Sequence, residues 1–142
     1  MADKQTKIDE LFPGINCCQT VFSLFAPELG LDEKTALKIA SGFGGGMACA
    51  ETCGAVTGSY MVIGLRHGHD NSDPDAKANT KSLIKKFNEK FRAEHGTLIC
   101  KKLIGYDISK PDESAAAKEA QVFTKKCPKF IKTACAILEE NF

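Results

Sequence analysis

The sequence predicts an all-α single domain, a helical bundle of about five to seven helices with short connections. Three observations carry this. Apolar residues recur at three- and four-residue spacing in several stretches, no alternating strand pattern of useful length appears, and glycine and proline punctuate the chain where the periodic stretches stop. The 142 residues, 43% of them apolar and 26% charged, suffice for one buried core and leave little for a second domain, so the domain is taken as residues 1–142.

Ile15, Cys18, Val21, Phe22 and Phe25 line one face of a first helix, with Cys17 at the edge of the stripe. Pro27 and Gly30 break the pattern. Asp32 is placed to cap a second helix carrying Leu37, Ala40 and Phe43, which stops at Gly44-Gly45-Gly46. From about Ala48 to Arg66 the small residues Ala50, Gly54 and Gly58 sit four apart, with Cys53, Thr57 and Met61 in an adjacent row. This predicts a third helix, buried, whose small-residue face serves either close packing inside the domain or a homodimer interface. Residues 67–75 read as a loop, with Asp73 before Pro74 opening a long amphipathic helix on Leu83, Ile84, Phe87 and Phe91 that Gly96 ends. The segment from Leu98 to Gly105 suits one turn of helix or a brief extended piece. Pro111 opens an alanine-rich helix, and after a break near Lys125 the positions Cys127, Ile131, Ala134 and Leu138 define the last one.

Charge and composition exclude several classes. Nineteen basic and 18 acidic side chains leave a net charge of +1, so no overall field recruits nucleic acid or an anionic membrane. The stretch from Ala55 to Leu65 is too short and too interrupted for membrane insertion. The polar start, Met1 to Lys7, lacks a secretory signal and points to the cytoplasm. Lysines 81–90, together with Lys125, Lys126 and Lys129, read as wet helix faces able to meet an acidic redox partner protein. Gly44-Gly45-Gly46 matches neither a dinucleotide-binding nor a Walker loop, because no strand precedes it and no Gly-Lys-Ser or Gly-Lys-Thr follows. The loop from His67 to Asp73 lacks the glycine and glutamate of a calcium loop, and His95 reads as a helix-end residue without a nucleophile beside it.

Seven cysteines in a chain of this kind point to sulfur chemistry. A reducing compartment and an odd count argue against a disulfide framework and for metal ligation or thiol redox work. Cys49 and Cys53, four apart, are expected on one helical face near a helix start, where the dipole favours a thiolate. Both also suit plain burial. Cys17, Cys18, Cys100, Cys127 and Cys135 are scattered, so any shared site has to be assembled by the fold.

The strings Asn16-Cys17-Cys18-Gln19, Ser41 to Met47 leading into Glu51 to Gly58, Cys100 before Leu103 to Asp107, and Cys127-Pro128 resemble the C-GCAxxG-C-C family of redox-active proteins, over about residues 12–140. The resemblance implies a helical fold and picks out Cys17, Cys53, Cys100 and Cys127 as the family's four cysteines. It extends to the split-Soret cytochromes, whose related region is associated with an iron–sulfur centre. No CxxCH sequence is present here, so covalent haem does not carry over.

Three readings follow. In the first, Cys17, Cys53, Cys100 and Cys127 bind a two-iron or four-iron cluster for electron transfer or redox sensing, with Cys49 a possible substitute ligand. In the second there is no metal, and Cys53 attacks while Cys49, Cys17 or Cys18 resolves. In the third, the four thiolates hold a structural zinc ion.

Overall fold

The computed structural model describes residues 3–142; Met1 and Ala2, the start of the polar N-terminal segment, lie outside the described residues. Eight α-helices follow one another among the described residues. They are α1 (Lys4–Leu11), α2 (Cys17–Phe25), α3 (Glu33–Ala40), α4 (Gly54–His67), α5 (Pro74–His95), α6 (Cys100–Ile104), α7 (Pro111–Glu119) and α8 (Val122–Asn141), with a 3-10 turn at Pro27–Leu29. The all-α expectation holds, and the helix number exceeds it. No helix among the described residues is long and apolar enough to cross a membrane.

Helix α4 is the axle. Its residues Gly54 to Ser59, Val62 and Ile63 are buried, and α2, α5 and α8 pack around it. The α2–α4 contact is the most extensive in the fold, and glycine makes it possible: a Cβ on Gly58 would lie 2.9 Å from the Cys18 carbonyl oxygen and 3.2 Å from Val21 Cβ. The small-residue face is thus used inside the domain. Buried hydroxyls are satisfied within their own helices, Ser59 donating to the Ala55 carbonyl at 2.7 Å and Thr20 to that of Asn16 at 2.8 Å. Phe87 and Phe91 of α5 are fully buried, stacked with centroids 6.1 Å apart, and they seal the far side of the core. Asp32, Asp73 and Gly96 cap helices where the sequence places them.

Gly64 stands apart from the other α4 glycines, because nothing would meet a Cβ there. Alanine removes the backbone entropy cost of a helical glycine without a clash, so Gly64→Ala should stabilise the protein by about 0.5–1 kcal/mol. Chemical denaturation checks this, and a lower midpoint would show that α4 is not helical through Gly64.

Three local readings need correction, and a fourth is met in both its alternatives. Helix α1 was not anticipated, because Ile8 is its only buried residue and the pair Ile8 and Leu11 is too short a run to show a period. Tertiary contacts hold it instead: Ile8 in the core, Gln5 Nε2 donating to the Lys132 carbonyl at 3.1 Å, and a 3.0 Å ion pair between Lys132 and Asp9. The helix expected from Ala48 begins only at Gly54. Residues 45–48 all have φ near +60°, as does Ala50 at 56°, so the chain makes a left-handed turn that no right-handed helix can include. Each of Met47, Ala48 and Ala50 bears roughly 1–2 kcal/mol of steric cost there. The segment 98–105 combines both readings, since Ile99 forms an isolated antiparallel bridge with Thr52 and α6 starts at the next residue. Finally, the break before the last helix falls at Gln121, with φ 58°, because Val122 already belongs to the buried face of α8.

Candidate cysteine centre

Three cysteines sit where helices begin. Cys17 is the first residue of α2, Cys53 caps α4, and Cys100 is the first residue of α6. Cys127 lies within α8, just before Pro128, which has no N–H to continue the helical ladder. These four, and no other cysteine, line one cavity of about 80 Å³. Its remaining wall is largely apolar, with Phe12, Ile104, Ile108, Phe123 and Phe130 among the contributors. A water molecule needs only about 10–15 Å³ of such space, so the cavity has room for a group of several heavy atoms. A more open groove shares Phe12, Asn16 and Phe123 with it.

Backbone pairing brings distant cysteines together. The Cys53 amide donates to the Leu98 carbonyl at 2.8 Å and the Cys100 amide to the Glu51 carbonyl at 2.6 Å, locking residues 51–53 beside 98–100. Gly54 lets α2 approach, because a Cβ there would collide with the Cys17 sulfur and lie 3.0 Å from the Cys18 nitrogen. Gly46 does the same for α6, where a Cβ would lie 3.0 Å from that of Cys100. The glycine block is therefore a packing device around the thiols.

The four thiols differ in acidity. The neighbouring Cys53 thiol, helped by the backbone amides of Gly45, Cys18 and Cys17 itself, holds the Cys17 thiol down to about 7 against the opposing effect of burial. Cys53 is pushed up, first by sharing its proton with Cys17 and then by burial. Burial pushes Cys100 up to about 11 and Cys127 up to about 12, with the Cys17 charge adding to both. The cavity wall contains no lysine, arginine or histidine. By themselves these surroundings support one thiolate, and four require a cation in the cavity.

Alkylation of the reduced, metal-free protein should accordingly start at Cys17, with a rate that rises as pH passes up through about 7, because the thiolate is the attacking form. Peptide mapping separates this label from any on the exposed Cys49. A midpoint near the ordinary thiol value of 9.0 would show that Cys53 and the loop amides do not act on Cys17.

The expected pairing of Cys49 with Cys53 on one helical face is not found. Cys49 lies in the left-handed segment, exposed, its thiol donating to the Gly46 carbonyl at 3.2 Å, and it does not line the cavity. The activated thiol is also a different one, Cys17 in place of Cys53, because amide donors converge on the head of α2 while the Cys53 proton serves as a donor. Cys18 faces Met61, with its sulfur 3.9 Å from the thioether, and burial pushes it up to about 12. Cys135 is a core residue of α8, likewise pushed up to about 12 by burial. His95 ends α5 between the Phe91 and Phe130 rings, with Nε2 2.9 Å from Thr133 Oγ1.

Sequence reasoning overlooked Asn16, which lines the cavity and caps α2. A signal for it existed, since asparagine followed three residues later by glutamine is a capping-box pattern. Among the described residues, no three histidine, cysteine, aspartate or glutamate side chains are arranged to hold a single metal ion. The four thiols nevertheless line one cavity.

A family model described as "Putative redox-active protein (C_GCAxxG_C_C)" matches residues 15–141. No significant match is found among curated proteins or among solved structures.

Proposed function

The chain belongs to the C-GCAxxG-C-C family, described as redox-active, and on that premise we propose that Cys17, Cys53, Cys100 and Cys127 together bind an iron–sulfur cluster used for electron transfer or redox sensing. The observation that carries this reading is the convergence of four thiols, from residues up to 110 positions apart (127 − 17), on one apolar cavity with no protein cation in its wall. Soft thiolates suit iron–sulfur clusters, and a cationic iron core supplies the charge that four ionised cysteines need. When bound, such a cluster supplies a one-electron couple.

The chain's own residues do the rest. Cys53 and Cys100, pinned by the paired backbones of residues 51–53 and 98–100, present ligands from one wall. Cys17 and Cys127 present theirs from α2 and α8. Phe12, Phe123 and Phe130 limit water, which tunes the potential of a buried centre. The groove at Phe12, Asn16 and Phe123 is the side from which a redox partner protein reaches it.

A thiol-disulfide reading is favoured by one observation, that Cys17 and Cys53 line the same cavity, with the neighbouring Cys53 thiol holding Cys17 down. There Cys17 would attack a partner disulfide and release one partner thiolate. Cys53 would then displace the second, leaving a Cys17–Cys53 disulfide and a reduced partner dithiol. A single zinc ion is less well served, because tetrahedral ligation asks four sulfurs to lie about 2.3 Å from one point.

Purification without oxygen, followed by visible absorption and assay of iron, acid-labile sulfide and zinc per chain, separates the three. The cluster reading expects broad visible absorption, bleached by reductant, with iron and sulfide present. A colourless protein holding zinc would replace it with the structural-metal reading. A colourless, metal-free protein that forms a reversible Cys17–Cys53 disulfide would replace it with the thiol reading.

A further inference from the structure

Ile108 stands between solvent and the thiols. It lines the cysteine cavity and is itself partly exposed, so on this side the wall is one side chain thick. Its tip closes against the glycine loop, since a Cβ on Gly45, another wall residue, would lie 3.2 Å from Ile108 Cδ1. The residues beside it, Asp107, Ser109 and Lys110, are polar, and hydrogen bonds hold the segment in place. Those bonds converge on Asp107. The Lys110 amide donates to the Asp107 carbonyl at 3.1 Å and closes a turn around Ile108 and Ser109. Within the turn, Asp107 Oδ1 accepts from the Ser109 amide at 3.1 Å and from the Ser109 hydroxyl. From outside it, Glu113 Oε1 accepts from the Asp107 amide at 2.9 Å. In a capping box, a carboxylate at the place of Glu113 in α7 accepts from the amide of the N-cap residue, here Lys110. That amide is already taken by Asp107, and Glu113 reaches past it to the turn.

We infer that Asp107 and Glu113 are positioning residues: they latch the turn 107–110 so that Ile108 closes the cysteine cavity, and this latch governs how fast small solutes reach the centre. What the wall protects rests on the cluster reading above, whereas the latch rests on the contacts of residues 107–113 and the packing of Ile108 alone. A surface turn held by hydrogen bonds opens locally, and losing a bond to a charged acceptor raises the open fraction. The carboxylates therefore act on the centre through Ile108, without touching it.

The test measures how fast excess EDTA bleaches the visible absorption of the full chain and its variants, purified without oxygen. Asp107→Ala and Glu113→Ala should bleach about tenfold faster, the change in open fraction that one lost hydrogen bond to a charged group gives. Ile108→Ala, which removes the wall itself, should be at least as fast. Iron and sulfide per chain and the thermal midpoint of the two carboxylate variants should stay close to the unsubstituted values, because the turn lies at the surface. Asp107→Asn and Glu113→Gln keep an acceptor oxygen in place, so their rates should lie nearer the unsubstituted rate than the alanine rates. Unchanged rates in Asp107→Ala and Ile108→Ala with a full cluster content would overturn the inference, as would amide variants as fast as the alanine ones. Where Ile108→Ala holds no cluster, Asp107→Ala and Asp107→Asn decide between them. If the unsubstituted protein carries no iron or sulfide, the cluster reading fails by itself, and the latch is read from N-ethylmaleimide labelling of the reduced chain at one fixed pH. The readout is the labelling rate of the cavity cysteines divided by that of Cys49, which is exposed and outside the cavity. A ratio about tenfold higher in Asp107→Ala and Ile108→Ala supports the latch; an unchanged ratio overturns it.

Discussion

With the proposed iron–sulfur cluster in place, serine at any one of Cys17, Cys53, Cys100 or Cys127 should lower the iron and acid-labile sulfide of the anaerobically purified protein by about tenfold or more. Even groups that only hydrogen-bond to a ligand change metal affinity by about 10–100-fold, and a lost ligand leaves an open coordination position as well. Cys49→Ser, Cys18→Ala and Cys135→Ala should retain the cluster. The contrast is sharp because the fold separates the sulfurs physically: Cys49 is exposed on the loop, Cys18 turns to Met61, and Cys135 sits in the core of α8. Full iron and sulfide in one of the four serine variants would remove that cysteine from the centre. Loss in the Cys49 variant would require the left-handed segment to refold around the cofactor.

Gly46→Ala should be among the most damaging small substitutions in the chain. The residue has φ 61°, and a Cβ on it would run into the Glu51 backbone nitrogen, lie 2.9 Å from the Glu51 carbonyl oxygen and press on Cys100. Left-handed geometry costs an alanine roughly 1–2 kcal/mol, and overpacking against rigid backbone adds roughly 1–3 kcal/mol, so a loss of about 3 kcal/mol is expected. In a domain of this size that lowers the thermal midpoint by about 10 °C. The same Cβ displaces Cys100, so cofactor content should fall with stability. The Gly64→Ala protein is the control, moving in the opposite direction because its site is open. Equal stability of the Gly46→Ala and Gly64→Ala proteins would mean that the glycine block does not pack around the thiols as described.

Much of this fold is legible in one dimension. Leu83, Ile84, Phe87 and Phe91 announce α5, Asp32 and Asp73 announce their caps, and Gly96 announces a stop, because each is a local preference of a residue for a position in a helix. Helix α1 is not legible, since its stability comes from Ile8, Gln5 and Asp9 meeting α8 more than a hundred residues later. The start of α4 is not legible either. Helix periodicity ran backwards from Gly54 through Cys49, and what stopped it was the pairing of residues 51–53 with 98–100.

The cysteines divide in the same way. Resemblance in the glycine block and the strings around Cys17, Cys100 and Cys127 was enough to select four of seven. Helical class and burial tendency also came from residues read in order, because periodicity is a local property. Tertiary structure alone decided that Cys17, Cys53, Cys100 and Cys127 share a cavity, that Cys49 stays outside it, and that Cys17 is the thiol held below its ordinary value. Ionisation depends on which amides and thiols lie within a few ångströms of a sulfur. For Cys17 those neighbours are Gly45 and Cys53, 28 and 36 positions away (45 − 17 and 53 − 17), brought close by packing that no local pattern encodes.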